Sequence, residues 1–347
     1  MENNNLRKKI RRFVMIAVLA LLTIGLFQKE VFAENVNTFS IQPLDENGNV
    51  NENGYYHIID EPGKQRTVPI RVYNLSEEEI SVNVTVNPAS TNQNGIPSYL
   101  GEEAYDASLI HRMDQLVAIE ESELLIPAGS SVLTTLIISL PPEEWEGDIL
   151  GGIRFTEKKN QQSEQTVTHE VAYTVGILLN RVGGSAVENE LSLNEVTASQ
   201  RNYRNHIEAN LQNRAAVIVR DMSIQSSIYR EGSGTPIYTY DAYELRMAPN
   251  SNFNFGIPAG NQPIEAGNYV LKMQVTADEK EYRFEQSFSI TNADARQLNQ
   301  SAVNLERTTS YMSYGIFVGI GVILVLLVMW WTRRRTRRKK RRKRPMI

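Results

Sequence analysis

Residues 80–87 read Ile80-Ser81-Val82-Asn83-Val84-Thr85-Val86-Asn87, a strict alternation of apolar and polar side chains. Successive side chains of a β-strand point to opposite faces, so this segment would turn one face to a core and the other to water. Similar alternation recurs over 67–72, 207–212 and 269–276. One solvated face per strand is typical of antiparallel sheets, so the sequence predicts an all-β protein.

The alternating segments fall into two groups, which predict two tandem immunoglobulin-like β-sandwich domains at residues 36–183 and 186–292. In the first group we expect strands near 38–44, 54–60, 65–75, 78–88, 116–127, 131–140, 148–157 and 168–181. In the second group we expect strands near 191–199, 205–213, 217–229, 237–247, 252–257, 268–277 and 281–291. Seven short strands in about 100 residues is the size of an immunoglobulin-like sandwich.

Two further features belong to this organisation. Leu109, Met113 and Leu116 recur at helical spacing, which predicts a short helix within residues 102–116. The domain boundary has two candidates, the polar segment 158–165 and the break Gly183-Gly184-Ser185. We place the boundary at the second.

Charge is distributed unevenly along the chain, although its formal net charge is only −4 over 347 residues. Residues 1–33 carry six Lys or Arg and two acids, and residues 332–347 carry eleven Lys or Arg and no acid. The part between them keeps 19 basic and 38 acidic residues, a net charge of −19. Such an acidic region argues against nucleic-acid binding. The absence of cysteine excludes disulfides and thiolate metal sites.

The N-terminus reads as a signal peptide over residues 1–33, with basic residues followed by the apolar run 13–27. Cleavage is expected between Ala33 and Glu34. The alternative is an uncleaved membrane anchor.

The C-terminus predicts a single transmembrane helix over residues 314–331, preceded by a polar stalk at 293–313 and followed by a basic cytoplasmic tail at 332–347. Its uncharged run matches a hydrocarbon core of about 30 Å. Aromatic belts and the positive-inside rule orient the helix with the tail in the cytoplasm. The expected interface residues are Tyr311, Tyr314, Trp330, Trp331, Arg333, Arg334 and Arg335. Residues 293–314 contain no LPxTG-type motif, so the protein should stay in the membrane rather than be joined to the wall.

The sequence offers no convincing catalytic or metal site, so we expect a non-enzymatic protein without a cofactor. Its four histidines are not spaced as zinc ligands, and acidic pairs such as Glu143-Glu144 read as solvated loops rather than glycosidase carboxylates. Residues 49–60 resemble a calcium loop in spacing, but a polar hairpin with an Asn53-Gly54 turn is the preferred interpretation. Gly151-Gly152, between apolar residues, indicates a bulge or a close contact.

A polar loop over residues 87–99 supplies the candidate ligand-binding residues, Thr91, Asn92, Asn94 and Tyr99. Amides, hydroxyls and an aromatic ring recognise glycans by hydrogen bonding and stacking. The competing interpretation is a turn in which Asn and Ser side chains cap their own backbone. Aromatic residues at alternate positions, Tyr238 with Tyr240 and Phe253 with Phe255, are expected in the core of the second domain.

Several motifs resemble the WxL-interacting proteins, a family of Gram-positive surface proteins. For the first domain they are Phe39-x-x-x-Pro43, Gly54-Tyr55-Tyr56, Asn87-Pro88-Ala89-Ser90-Thr91-Asn92-x-Asn94-Gly95 and Ile149-Leu150-Gly151-Gly152-Ile153. For the second they are Met247-Ala248-Pro249-Asn250-Ser251-x-Phe253-x-Phe255, Glu265-Ala266-Gly267-Asn268-Tyr269 and Phe284-x-x-x-Phe288-x-Ile290. The resemblance implies a peptidoglycan-binding first domain and a second domain that engages a host extracellular protein or glycan. It also implies WxL-domain proteins as partners and a domain division near residue 160.

These features predict a membrane-anchored adaptor on the cell surface, within or beyond the cell wall. The alternative is a scaffold subunit of a complex that captures or degrades polysaccharide, with catalysis on other chains. The acidic exported region should be repelled at long range by a phosphate-rich wall. We therefore expect wall binding to rest on short-range hydrogen bonds and stacking, and not to weaken as salt rises to physiological levels.

Overall fold

The computed structural model describes residues 37–158, 171–303, 305–306 and 320–331. These residues form two compact units. The first unit contains the described residues up to Ser192 together with Gln212–Arg220 and Arg246–Phe253. The second contains Leu193–Leu211, Asp221–Leu245 and the described residues from Asn254 onward.

The elements agree closely with the alternating pattern of the sequence. The first group comprises β1 (Phe39–Pro43), β2 (Tyr56–Asp60), β3 (Gln65–Asn74), β4 (Ile80–Pro88), β5 (Ser90–Thr91), β6 (Pro97–Ser98), helix α1 (Met113–Leu116), β7 (Val117–Ile119), β8 (Glu123–Ile126), β9 (Ser131–Ser139), β10 (Ile149–Glu157) and β11 (Ala172–Arg181). The second group comprises β12 (Leu191–Arg201), β13 (Arg204–Asn213), β14 (Val219–Arg230), β15 (Pro236–Met247), β16 (Ser251–Pro258), β17 (Gly267–Ala277), β18 (Lys280–Ile290) and helix α2 (Asn292–Ser301). Residues 320–331 are also helical.

The first group forms a β-sandwich from a four-stranded sheet, β1-β3-β9-β7, and a five-stranded sheet, β2-β11-β10-β4-β8. Both sheets contribute to one core cluster, in which Phe39, Ile70 and Phe155 are fully buried. The ring of Phe39 in the first sheet meets that of Tyr173 in the second edge-on, at 5.0 Å between centroids. Fully burying a side chain of this size contributes about 1.5–3 kcal/mol. The apolar faces predicted from alternation therefore close this sandwich.

Two local predictions for the first group need correction. The strand expected over 116–127 is two strands, because β7 pairs with β9 in one sheet whereas β8 pairs with β4 in the other. The helix expected within 102–116 is confined to Met113–Leu116. Leu109 lies instead in a turn, where its N–H donates to the Asp106 carbonyl at 3.0 Å.

The second group forms a sandwich from a three-stranded sheet, β12-β13-β16, and a four-stranded sheet, β15-β14-β17-β18. Phe253 and Phe255 are buried, as predicted. The prediction for Tyr240 was wrong, because this side chain is 40% exposed. It lies on β15, an edge strand, and stacks on Phe255 of the other sheet at 5.7 Å between ring centroids. Alternation identifies a strand but does not show that it lies at an edge.

The segment predicted as a stalk begins with the packed helix α2. Thr291 caps this helix by accepting a hydrogen bond from the N–H of Asp294 at 3.1 Å. The Gln200 side chain donates to the Leu298 carbonyl at 2.7 Å, and Asn299 exchanges hydrogen bonds with the backbone of Ile264 at 2.8 and 2.9 Å. Residues 292–301 of the predicted stalk are therefore helical and joined to the second unit by hydrogen bonds.

The C-terminal apolar segment is described only over residues 320–331. These residues are helical and exposed throughout, with Trp330 and Trp331 56% and 53% exposed. Within the described ranges, no helix is both long and apolar enough to cross a membrane. Residues 314–319 of the predicted span, the tail at 332–347 and the predicted signal peptide at 1–33 lie outside the described residues.

Candidate functional site

Two adjacent glycines in the middle of β10 allow close contacts on both faces of the five-stranded sheet. A Cβ on Gly151 would lie 2.4 Å from the side chain of Met113, which is fully buried in the core. A Cβ on Gly152, which faces the opposite way, would lie 2.9 Å from Cγ of Tyr99. The pairing of β10 with both neighbouring strands is continuous through the two glycines, so they do not form a bulge. They instead let other side chains approach the strand closely.

Tyr99 therefore lies against the outer face of the sheet, over a floor made by two glycines. Gly152 pairs directly with Gly176 of β11. A Cβ on Gly176 would lie 3.9 Å from the Tyr99 hydroxyl and 3.6 Å from Cβ of Tyr55. The Asn87 side chain fixes the backbone by donating to the Tyr99 carbonyl at 2.9 Å. Burial of the ring raises the pKa of Tyr99, so its hydroxyl is a neutral donor and acceptor at physiological pH.

Beside this floor, the same sheet face carries a row of apolar and polar side chains. Leu150 pairs with Leu178, which pairs in turn with His57 of β2. Both leucines are half-buried, and the His57 ring is held by Asn180 Oδ1 at 2.7 Å from its Nε2. The sheet thus presents a fixed surface with aromatic, aliphatic and hydrogen-bonding groups next to one another.

A cleft of about 500 Å³ opens over this surface within the first unit. Its lining residues are Ile96, Pro97, Tyr99, Leu150, Ile218, Arg220 and Arg246. Arg246 is exposed, and no described residue forms an ion pair or a hydrogen bond with its guanidinium group. An aromatic ring and aliphatic side chains can cover the apolar face of a sugar, and a guanidinium group can bind a carboxylate. We call this lining the Tyr99 cleft.

Of the four predicted ligand residues, only Tyr99 lines the Tyr99 cleft. Thr91 is 2% exposed, and its hydroxyl lies 2.6 Å from that of Ser251 and accepts from the N–H of Ala248 at 3.0 Å. Both contacts lie within the first unit. Thr91 is therefore a structural residue, which corrects its placement on an accessible loop.

The loop itself follows the competing interpretation of a self-capped turn. The Asn92 side-chain oxygen accepts from the N–H groups of Asn94 and Ile96 at 2.9 and 3.3 Å. Asn94 is exposed at the tip. The carbonyl of Gly95 accepts from the N–H of Arg246 at 2.7 Å, which ties the loop to the wall of the cleft. Leu150, Arg220 and Arg246 carry no local signal in the sequence that marks them as cleft residues.

A smaller cleft of about 250 Å³ in the first unit contains the carboxylates Glu144, Glu146 and Asp148. All three have structural partners, and Glu144 lies 3.8 Å from Nη1 of Arg181. Glu146 accepts from the N–H of Ser185 and pairs with Arg181, which holds its pKa below the ordinary value. Asp148 accepts from Asn180 at 2.8 Å and from the N–H of Ile218 at 3.0 Å. These bonds use the carboxylates to hold loops together rather than to act on a ligand.

The calcium-like segment is a polar turn, as preferred. Asn51 accepts from the N–H of Asn53 at 3.1 Å, and Gly54 has a φ of +72°. Asp60, at the twelfth position, instead receives a hydrogen bond from Arg66 at 2.6 Å. No group of three or more metal-binding side chains occurs among the residues that the structure describes.

The remaining predicted site residues are terminal. Trp330 and Trp331 lie on the exposed helix over 320–331. The residues that fall outside the described ranges are Ala33, Glu34, Tyr311, Tyr314, Arg333, Arg334 and Arg335.

Two family models match successive parts of the chain. Residues 39–157 match the model described as WxL Interacting Protein, peptidoglycan binding domain. Residues 162–300 match the model described as WxL Interacting Protein, host binding domain. No match to the chain was found among curated proteins.

Solved structures that match the chain include bacterial fimbrial chaperones. The class 5 fimbriae chaperone CfaA is 15% identical with a TM-score of 0.30, over 73% of this chain and 100% of that chain. The CsuC-CsuE chaperone–tip adhesion subunit complex from Acinetobacter baumannii gives 14% identity and a TM-score of 0.32, over 72% of this chain and 98% of that chain. The PapD-like domain 7 of human CEP192 is 9% identical with a TM-score of 0.26, over 44% of this chain and 91% of that chain. TM-scores this low carry no argument about fold or function.

Proposed function

Because the chain belongs to the WxL-interacting protein family, over residues 39–300, we propose that it is a non-enzymatic cell-surface adaptor that binds peptidoglycan through the Tyr99 cleft. The names of the matched domains support a surface protein with a peptidoglycan-binding part and a host-binding part. The proposal adds a location for the first activity and a mode of attachment for the whole chain.

The observation that carries the proposal is the position of Tyr99 over the Gly152–Gly176 floor. The ring is held in place from below by the sheet and through its own backbone by Asn87. A rigid ring loses little conformational entropy on binding, so it suits stacking on a sugar. Arg246, on the wall of the same cleft, suits the carboxylates of a peptide attached to the glycan.

Retention of the purified full chain on wall sacculi, in detergent, tests this proposal. We expect Arg246→Ala to reduce retention about tenfold or more, because a charge-assisted hydrogen bond is worth about 1.5–3 kcal/mol. Arg214→Ala is the matched control, since Arg214 is also exposed and belongs to the first unit but does not line the cleft. Retention of the wild-type chain no better than that of an unrelated β-sandwich protein would refute the proposal.

WxL-domain proteins are the proposed partners, on the support of the family to which the chain belongs. Co-purification of the native complex from membranes tests this part. Recovery of WxL-domain proteins alone favours the adaptor. Recovery of glycosidases with them favours the alternative, a scaffold for a complex that captures or degrades polysaccharide. Recovery of neither contradicts both.

Attachment to the membrane is proposed to use residues 314–331, with the exported part outside and residues 332–347 in the cytoplasm. The exposed apolar side chains over 320–331 support this, because lipid would cover them. The chain should then resist alkaline extraction from membranes, and its mature N-terminus should be Glu34 by mass spectrometry. Release of the chain at alkaline pH, or a retained Met1, would contradict the respective proposal.

The domain division near residue 184 is likewise a proposal. Its support is that β11 pairs with β10 and with β2, and so belongs to the sheet of the first sandwich. Limited proteolysis distinguishes the two positions. A stable N-terminal fragment that ends near 184 favours this division, and one that ends near 160 favours the alternative.

A further inference from the structure

The second unit contains a cleft of about 610 Å³ that the proposed function leaves unused. Its polar lining is basic or amide in character and consists of Arg201, Asn202, Arg204, Asn205, His206 and Asn261. Among the residues that the structure describes, no acidic side chain lines it, although acidic residues outnumber basic ones two to one between the two basic ends of the chain. The local composition is therefore opposite to that of the surrounding chain.

The turn that joins β12 to β13 forms one edge of this cleft and is conformationally strained. Asn202 and Tyr203 have φ values of +49° and +59°, a region that costs a non-glycine residue about 1–3 kcal/mol when occupied. The Tyr203 carbonyl is held by the N–H of Val303 at 3.0 Å, and the Tyr203 side chain is 66% exposed. The strained turn thus holds an aromatic side chain in solvent beside basic groups.

Arg201 is built into the wall of the cleft. Its Nε donates to Glu208 at 2.9 Å, and a Cβ on Gly256 would lie 2.4 Å from its Cζ. Glycine at position 256 thus leaves room for the guanidinium group to lie against β16. Glu208 balances the charge of Arg201, and Nη2 of Arg201 donates to the Asn254 carbonyl, so Arg201 shapes the wall of the cleft rather than adding net charge.

Arg204 supplies the net positive charge. It is exposed, and within the described ranges no residue forms an ion pair with its guanidinium group. Its carbonyl accepts from Nδ1 of His206 at 2.9 Å, which orients the imidazole ring. Besides Glu208, Glu306 lies nearby; its carboxylate is bound by the Gln262 side chain at 2.8 Å, and its N–H donates to the Asn261 carbonyl.

We propose that this cleft, which we call the Arg204 cleft, binds the acid groups of an anionic polysaccharide that carries sulfate or carboxylate. Guanidinium groups bind such oxyanions with directed hydrogen bonds. The exposed side chains of Asn202 and Asn261 suit sugar hydroxyls, and Tyr203 suits stacking on a sugar ring. Asn205 is buried and hydrogen-bonded to Gln200 and Asn299, so it supports the cleft from behind. The inference rests on the proposed function, because it gives the external ligand of the host-binding part a chemical class.

Binding of the full chain in detergent to immobilised glycans tests this inference. The probes are a heparin oligosaccharide, a hyaluronan oligosaccharide, a glycerol-phosphate teichoic acid and neutral dextran. We expect binding to heparin or hyaluronan but not to dextran, and a loss of binding at high salt, since exposed charges are screened within about 8 Å at physiological ionic strength. Equal binding to dextran, or stronger binding to teichoic acid, would overturn the assignment.

Arg204→Ala should weaken binding to the anionic glycan about tenfold, the expected effect of losing one charge-assisted hydrogen bond. Arg204→Lys should recover part of it. Arg283→Ala is the matched control, because Arg283 is an exposed arginine of the same unit on β18. An equal effect of the two alanine substitutions would refute the inference.

Sacculus retention measured in parallel separates the two proposals. A wild-type chain that is retained on sacculi but binds no anionic glycan would overturn this inference alone. A chain that is not retained on sacculi would refute peptidoglycan binding, whatever the glycan result.

Discussion

Gly152→Ala and Gly176→Ala add the same methyl group to two directly paired residues, and we expect opposite effects on stability. At Gly152 the new Cβ would lie 2.9 Å from Tyr99 Cγ and from Thr174 Cγ2. Carbon atoms pack at about 3.5–4.0 Å, so ring and threonine must each move by about half an ångström or more. At Gly176 the closest atom, Tyr55 Cβ, would be 3.6 Å away, an ordinary contact.

Overpacking of this kind costs about 1–3 kcal/mol, so Gly152→Ala should lower the free energy of unfolding by that amount. Gly176→Ala needs no displacement, and it restricts the unfolded chain, which stabilises a protein by about 0.4–1 kcal/mol. Neither glycine has a positive φ, so backbone strain does not differ between the two substitutions.

Denaturant unfolding followed by circular dichroism measures both changes. Sacculus retention should fall for Gly152→Ala, which displaces Tyr99, and stay at the wild-type level for Gly176→Ala. Equal shifts in unfolding midpoint would refute the reasoning, and so would a loss of stability at Gly152 with no loss of retention.

Three further expectations concern the first unit and the wall. Nε1 of Trp145 is buried without a hydrogen-bond partner among the described residues, so Trp145→Phe breaks no hydrogen bond there. The substitution should lower the free energy of unfolding by less than the roughly 3–5 kcal/mol lost when a buried aromatic residue is replaced by alanine. Thermal unfolding followed by circular dichroism measures this. Burial alone would raise the pKa of Asp106, but hydrogen bonds from Ser108, Asn252 and Gln212 outweigh it and lower that pKa. A carboxyl group whose folded-state pKa is lowered adds stability above its unfolded value of about 3.9, and this contribution is lost as pH falls through the folded value. The wild type should therefore be more stable than Asp106→Asn at neutral pH, and this difference in the free energy of unfolding should shrink as pH falls through that range, which denaturant unfolding at each pH measures. Sacculus retention should not fall between low and physiological salt, and a steep loss would show that long-range attraction drives it.

Much of the fold could be predicted because its strands have one solvated face. The segment 80–88 is a strand from Ile80 to Pro88 with its valines buried, as alternation requires. The family resemblance is confirmed by the two matched models. Alternation reports only which face is buried, however, so it could not place β15 at an edge or split 116–127 between two sheets.

The candidate site was predictable only where the local sequence determines it. The close contact at Gly151-Gly152 follows from glycines in a strand, and the structure confirms it. Thr91 could not be placed, because its partner Ser251 lies 160 residues away and a polar loop looks accessible in sequence. Arg246 carries no local signal either, since an exposed arginine on a strand is ordinary until the fold brings it beside Tyr99.

Binding at the Tyr99 cleft and binding at the Arg204 cleft should respond to salt in different ways. A long-range repulsion opposes the first, whereas a short-range ionic attraction is proposed to drive the second. The excess of acid between the two basic ends is spread over about 280 residues, and its repulsion extends about 30 Å at 0.01 M salt but only about 8 Å at physiological salt. Raising the salt therefore weakens the repulsion from a phosphate-rich wall, which offsets the screening of the single Arg246 contact proposed for the Tyr99 cleft and leaves the proposed stacking on Tyr99 in place. The same rise in salt weakens binding at the Arg204 cleft, because the proposed attraction there is ionic and Arg204 is exposed. If both activities fell together with salt, a shared electrostatic surface would be binding both ligands, and the assignment of two separate sites would be wrong.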